Sequence, residues 1–187
     1  MDAPPDKDPR RHLALTEPSA WVERFAGLIT PSGPILDVAC GGGRHTRLFL
    51  ARGHPVSAVD RDISALADLG EQPGLERLEV DLEDGGPFPL AGRQFAGVIV
   101  TNYLHRPLFP ALIAALAPGG VLIMATFSQG NERFGRPRNP DHLLRPGELL
   151  EAVHGTLRVL AYEDLLVEHP RPAAVQRICA RNEGKAS

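Results

Sequence analysis

The chain has 187 residues, of which 43% are hydrophobic and 23% charged, and a formal net charge of −3. That balance gives no overall attraction to nucleic acid or to an anionic membrane, and no apolar run approaches the roughly 18 residues needed to span a bilayer. Two cysteines, Cys40 and Cys179, are too few for a disulfide framework or a zinc site, and with a polar start at Met1-Asp2-Ala3-Pro4 a reducing cytoplasm is the expected location.

Residues 1–17 mix Pro, Asp, Lys and Arg without periodicity and are expected to form a disordered leader, leaving 18–187 as a single domain. Trp21, Val22, Phe25, Leu28 and Ile29 share one helical face after Pro18. Residues 34–38 are a short apolar strand, followed by a glycine turn and a helix running to Ala51. Residues 55–59 are a second strand ending in Asp60, and Ile63, Leu66, Ala67 and Leu69 pattern a short helix. Residues 75–80 are a third strand ending in Asp81, and residues 95–100 are a fourth, apolar throughout and so buried on both faces.

The alternation continues with a helix over residues 107–117, closed by Pro118-Gly119-Gly120, and a fifth strand over 121–127. Residues 128–146 are polar and read as a loop, and 147–153 as a brief helix. Residues 157–167 and 174–180 read as two last strands. The link between those two is about six residues long, enough for an antiparallel pair but not for a parallel crossover. The expected fold is therefore α/β: a doubly wound, mostly parallel seven-stranded sheet with an antiparallel final strand.

The chemistry begins at Asp37-Val38-Ala39-Cys40-Gly41-Gly42-Gly43, at the carboxyl end of the first strand, where open α/β sheets bind their ligands. Glycine permits both a tight turn and a close approach of ligand to backbone. A tight turn alone also needs glycine, so the motif by itself is weak. A dinucleotide fingerprint would place its third glycine at position 46, which is Thr46, and this argues against a dehydrogenase. Asp60 lies about 20 residues beyond the glycines, where a carboxylate can accept both hydroxyls of a ribose. Asp81 ends its strand on the same edge. A single acidic residue at a strand end usually serves a turn, but three polar strand ends in register are harder to obtain by chance.

With Thr101-Asn102-Tyr103-Leu104-His105 and Leu116-Ala117-Pro118-Gly119-Gly120 following in order, residues 30–127 resemble class I S-adenosylmethionine-dependent methyltransferases. Among these the chain looks most similar to small bacterial enzymes of the tellurite-resistance and thiopurine type. Ala39 departs from the glycine common in that family at its position. The resemblance implies a Rossmann-like methyltransferase fold with S-adenosyl-L-methionine as cofactor. It implies that Ala39, Cys40, Gly41 and Gly43 form the turn on which the methionine part lies, and that Asp37 orients the turn and meets the cofactor's amino group. Asp60 would hold the ribose with Arg61 alongside the adenine, Asp81 and Leu82 would frame the adenine, and Thr101 and Asn102 would face the sulfonium. Arg24 could approach the cofactor carboxylate or remain a solvated surface arginine.

Methyl transfer needs mainly in-line placement of a nucleophile about 3 Å from the methyl group in a dry site. A base matters only where the acceptor must lose a proton. His105, whose ordinary pKa lies near neutrality, is the candidate base; a substrate contact or a structural role are the alternatives. Tyr103 suggests stacking or lid packing. An Asn-Pro-Pro-Tyr signature is absent after the fourth strand, which disfavours amino-group methylation of nucleic acid bases or glutamine. No cluster of Asp, His or Cys has metal-ligand spacing. The loop 128–146 carries Arg133, Arg136, Arg138 and Arg145 against Glu132 and Asp141, and would suit an anionic acceptor if it forms a lid. Arg133 and His142 are its candidate substrate residues. The expected function is methyl transfer to a small-molecule thiol, hydroxyl or oxyanion, without a membrane or nucleic acid partner. A methyltransferase for RNA or protein, and a non-catalytic nucleotide-binding module, are the alternatives.

Overall fold

A computed structural model describes residues 16–169 and 171–184; most of the expected leader therefore lies outside the described residues. In chain order the elements are α1 (Ala20–Ala26), β1 (Ile35–Val38), α2 (Arg44–Ala51), β2 (Val56–Asp60), β3 (Leu75–Glu79), β4 (Phe95–Thr101), α3 (Phe109–Ala114), β5 (Leu116–Phe127), α4 (Glu148–Val153), β6 (Arg158–Val167) and β7 (Ala173–Arg181). The strands form one sheet in the order β3-β2-β1-β4-β5-β7-β6. Pairs β3–β2, β2–β1, β1–β4 and β4–β5 are parallel, and β7 runs antiparallel to both β5 and β6. The expected doubly wound sheet with an antiparallel last strand is thus the observed one, and β7 enters between β5 and β6.

Alternating side chains divide the core between the two faces of the sheet. Ile35, Ile99 and Ile123 pack with Trp21, Val22 and Phe49 of α1 and α2. Leu36, Val38, Val98, Val100 and Met124 point the other way, onto Leu112 of α3 and Leu149 and Val153 of α4. Between β3 and β4 the chain crosses without a helix among the described elements. Leu90, buried, and Phe88, partly so, cover the sheet there instead. Among the described residues no helix is long and apolar enough to cross a membrane.

Two elements differ from the sequence expectation. The segment at 63–69 folds as a 3-10 helix, Ser64–Leu69, that buries Leu66. The helix expected over 107–117 is a 3-10 turn, Arg106–Leu108, followed by α3, which ends at Ala114. Leu116 already belongs to β5 and pairs with Phe95, after which the register jumps to Val121 opposite Gly97. The Pro118-Gly119-Gly120 segment is therefore an irregularity within a strand rather than a helix stop. A Cβ on Gly120 would lie 2.8 Å from the Phe95 carbonyl oxygen, so only glycine permits this approach.

The segment after β5 is stitched down by its own polar groups. It contains two 3-10 turns, Asn131–Arg133 and Pro140–His142. Arg106 fixes its far end: Nε and Nη2 donate to the two carboxylate oxygens of Glu148 at 2.6 and 3.0 Å, and Nη1 and Nη2 donate to the carbonyls of Asp141 and Leu143 at 2.6 and 2.9 Å. Burial opposes ionisation of Glu148, but the Arg106 hydrogen bond and the Arg145 N–H outweigh it and hold its pKa below the ordinary carboxylate value. Removing one partner of a buried ion pair strands the other charge. Because the Arg106 side chain is 35% exposed, the expected cost of Glu148→Ala is discounted to about 2 kcal/mol. Urea denaturation should register that loss, and amide exchange should accelerate at residues 141–143. Unchanged exchange there would show that Arg106 does not anchor the segment.

Candidate active site

The turn after β1 is built around a buried carboxylate. Asp37 is the third residue of a strand whose four residues are all buried, and its alternation aims it at α2. There the Thr46 hydroxyl donates to Asp37 Oδ2 at 2.7 Å. Desolvation by burial raises its pKa from 3.8 to about 6, against the lowering effect of the Thr46 hydrogen bonds and the Arg44 charge. Thr46, which in the sequence only marked the absence of a glycine, is therefore the partner of the turn's central acid.

The backbone then takes three left-handed steps, at Ala39 (φ 51°), Gly41 (φ 52°) and Gly43 (φ 73°). Ala39 bears the cost of a Cβ in that region, about 1 kcal/mol, which accounts physically for the usual glycine. Gly43 has a second reason to be glycine: a Cβ would stand 2.0 Å from Leu66 Cδ2, and Leu66 is fully buried. Cys40 is buried beneath the turn with its N–H on the Val59 carbonyl, and burial pushes its thiol pKa up.

Asp60, at the end of β2, closes the turn from the side. Its Oδ2 accepts the Gly41 N–H at 2.8 Å and its Oδ1 accepts the Asp62 N–H at 3.1 Å. Each oxygen keeps a lone pair for a ligand, since a carboxylate offers about four acceptor positions. The Val80 N–H bonds to the Asp60 carbonyl and brings the end of β3 alongside. Asp81, exposed, caps the following turn through the Glu83 N–H at 2.9 Å. Leu82 is partly buried against the core, and Arg61 is exposed.

On the other side of the turn, Arg44 and His45 draw together residues far apart in the chain. Arg44 donates to the Glu17 carbonyl at 3.1 Å and to Thr101 Oγ1 at 3.3 Å. His45 Nε2 accepts the Ser19 N–H at 3.1 Å, which leaves its proton on Nδ1, 3.5 Å from Thr101 Oγ1. Burial, reinforced by the Arg44 charge, lowers the His45 pKa to about 3, so this imidazole is neutral. With two donors directed at its oxygen, the Thr101 hydroxyl has its own proton to offer elsewhere. Asn102 is exposed in a left-handed conformation, φ 55°, which Asn tolerates better than most residues. Arg24 does not join this group: it pairs with Glu163 of β6 at 3.4 Å and lies over the Trp21 and Phe25 rings.

Tyr103 follows Asn102 into the cleft. Its Oη is shielded from solvent and makes no hydrogen bond of ordinary geometry among the described residues. Burial first, then the nearby carboxylates of Glu83, Asp81 and Asp60, raise its pKa. The phenol is thus set beside the Glu83 carboxylate, with Asp81 and Asp60 also near.

Beyond Tyr103 lies a cavity of about 320 Å³ between Glu83, the segment Leu104 to Pro107, and Asn139, Asp141 and His142. His105 Nδ1 stands 4.0 Å from Glu83 Oε2, an ion-pair distance longer than a hydrogen bond. The structure thus brings His105 and His142 into one lining. Arg133 is exposed on its 3-10 turn and does not line this cavity. A second cavity, of about 250 Å³, opens at the opposite edge of the sheet, where Ser57, Glu76 and Arg93 bond to one another.

The residues of the turn fit a ligand with a positive head and a ribose: a buried acid without a full counter-charge and an acceptor pair at Asp60. Residues 35–120 match the family model of a methyltransferase domain. Those residues form a methyltransferase domain. S-adenosyl-L-methionine is the cofactor of this family. Over 125 residues the chain is 35% identical to trans-aconitate 2-methyltransferase of Rhizobium meliloti (strain 1021), a match covering 64% of this chain and 43% of that protein. The chain spans half or less of the length of the trans-aconitate 2-methyltransferases it matches. The domain superimposes on TehB from Haemophilus influenzae with a TM-score of 0.72, at 18% identity, covering 90% of this chain and 63% of that one. An S-adenosylmethionine-dependent methyltransferase from Mesorhizobium loti gives a TM-score of 0.67 at 18% identity, covering 88% and 99%.

Several residues of the site carried no usable sequence signal. Arg44, His45 and Glu83 are not among the candidate residues of the sequence, and Thr46 enters only as a missing glycine, because their partners lie outside their own segments of the chain. Arg106 is likewise not singled out, since its partners Glu148, Asp141 and Leu143 are 35 or more residues away.

The Asp37 charge predicts a pH-dependent stability. A carboxylate whose pKa is raised by folding binds its proton more tightly in the folded state. It imposes no penalty below its unfolded pKa, and a growing one as pH rises through about 6. Asp37→Asn keeps an acceptor for Thr46 and removes the charge. It should raise stability at about pH 7 by up to roughly 3 kcal/mol and leave it unchanged near about pH 4. Urea midpoints at the two pH values test this, and a loss at neutral pH would contradict it.

Proposed function

We propose that the protein transfers the methyl group of S-adenosyl-L-methionine to a small molecule held beside His105. The observation that carries this reading is the geometry of the turn: Asp37 buried at the end of β1, with Asp60 tying the Gly41 N–H while keeping acceptor capacity. In this reading the cofactor's amino group meets Asp37, supplying the counter-charge that burial denies it. Gly41, Gly43 and the backbone of Ala39 and Cys40 let the methionine part lie close. Asp60 accepts the ribose hydroxyls with Arg61 alongside, and Asp81 and Leu82 border the adenine. Thr101 and Asn102 face the sulfonium, and the half-buried Arg44 guanidinium, whose bonds among the described residues go to neutral oxygens, suits the cofactor carboxylate.

When bound, S-adenosyl-L-methionine supplies a methyl group that leaves with its C–S electron pair remaining on sulfur. The chain's contribution is placement, water exclusion and, where the acceptor must lose a proton, a base. His105 is that base: Nδ1 faces Glu83, which leaves Nε2 to take the acceptor proton. Tyr103 and His142 border the acceptor, and Arg133 belongs to the outer face of the loop. The compact domain and its net charge of −3 favour a small acceptor over RNA or protein. A cytoplasmic location suits the two buried free cysteines.

Calorimetry with S-adenosylhomocysteine, S-adenosylmethionine and NAD tests the reading, and preferential NAD binding would sink it. Asp60→Ala should weaken S-adenosylhomocysteine about tenfold to a hundredfold, the worth of hydrogen bonds to a charged group; unchanged affinity would show the ribose to lie elsewhere. Protonation of Asp37 removes the charge that the amino group needs. Affinity should therefore fall as pH drops through about 6, by about tenfold at pH 5, and Asp37→Asn should abolish that dependence.

A further inference from the structure

We propose that the acceptor is a neutral or cationic molecule bearing its nucleophile as a hydroxyl or amine N–H, and not a polycarboxylate. The inference rests on the methyl-transfer reading and names the acceptor class for the cavity beside His105. The cavity of about 320 Å³ has the size of a small-molecule site, at the lower end of the roughly 300–1,000 Å³ typical of such pockets.

Its charges decide the class. Glu83 and Asp141 contribute two carboxylates to the lining, and Arg106 the single guanidinium there. Arg106 is already committed. Four of its donor contacts go to the two Glu148 oxygens and to the Asp141 and Leu143 carbonyls, out of the roughly five N–H groups a guanidinium carries. The Glu148 carboxylate neutralises its charge, and freeing it would strand a buried acid. The loop arginines that looked suited to an anion do not compensate. Arg145 pairs with Glu151 at 3.1 Å and approaches Glu148 at 3.5 Å, and Arg133, Arg136 and Arg138 lie outside the lining. A molecule with several carboxylates entering here would meet Glu83 and Asp141 with no uncommitted guanidinium to hold it.

The same lining suits the opposite kind of ligand. Glu83 and Asp141 can accept from an ammonium or a hydroxyl, and Asn139 can both donate and accept. Glu83 Oε2 stands 4.0 Å from His105 Nδ1, which leaves Nε2 as the nitrogen to take the proton when an acceptor O–H or N–H gives it up. The acceptor oxygen or nitrogen gains the methyl group and loses that proton to His105 Nε2, so the exchange balances without a further reactant.

The test uses the full chain saturated with S-adenosylhomocysteine and four probes: tyramine, 4-hydroxyphenylethanol, 4-hydroxyphenylacetate and trans-aconitate. The first three share one phenol and differ in charge. Binding is read from the histidine imidazole NMR signals, with labelled methyl transfer from S-adenosylmethionine as a second readout. Tyramine and 4-hydroxyphenylethanol should bind at least tenfold more tightly than either anion. Glu83→Gln and Asp141→Asn, both at exposed positions, should each shrink that preference several-fold, whereas Arg133→Gln should leave it intact. Tighter binding of either anion, no binding of any probe, or a preference insensitive to Glu83 and Asp141 would each overturn the inference. Failure to bind S-adenosylhomocysteine at the outset would instead overturn the methyl-transfer reading, so the two failures are distinguishable.

Discussion

Burial of the Asp37 carboxylate at the end of β1 is the constraint around which this site is organised. The strand is central in the sheet, and Asp37 alternates onto the face covered by α2. A charge in that position must find donors or cease to be a charge. Thr46 supplies one donor from the first turn of α2, and that bond sets how the helix begins relative to the strand. The left-handed steps at Ala39, Gly41 and Gly43 are the backbone route that lets both requirements be met within six residues. Asp60 then reaches the middle of that route and holds the Gly41 amide, so the ends of two neighbouring strands and one helix form a single hydrogen-bonded unit.

The ion pair of Arg106 with the buried Glu148 does for the far wall what Asp37 does for the turn. It joins the segment after β4 to the first turn of α4, and through two carbonyl contacts it gathers the end of the loop after β5. The consequence is chemical as well as mechanical. A guanidinium consumed in holding a wall cannot also recognise an anion, which leaves the cavity's character to Glu83, Asp141 and two histidines. Architecture and selectivity are thus set by the same side chain.

The elements were legible in the sequence because their signals are local. Apolar runs of strand length, the glycine turn after the first strand, and a last link too short for a crossover suffice for the sheet and its antiparallel end. The errors fell where a distant partner overrides local preference. Leu116 reads as the last turn of a helix until Phe95 is known to lie opposite it. Thr46 reads as a missing glycine until Asp37 is known to need its hydroxyl. Ala39 reads as a departure from the usual glycine, and its left-handed φ shows that it makes the same tight turn.

By itself the sequence determined the fold class, the glycine turn and the acidic ends of β2 and β3, since each depends on residue type and on spacing along one segment. Only the tertiary structure decided which charges are spent and which are available. The arginine-rich loop promised an anion site by composition, yet Arg145 is paired with Glu148 and Glu151, and Arg133, Arg136 and Arg138 lie outside the lining. His105 and Glu83, separated by a strand and a crossover, meet only because β3 and β4 end on the same edge of the sheet. The energy of a charge depends on its partners and its burial, and neither is a property of the residue alone.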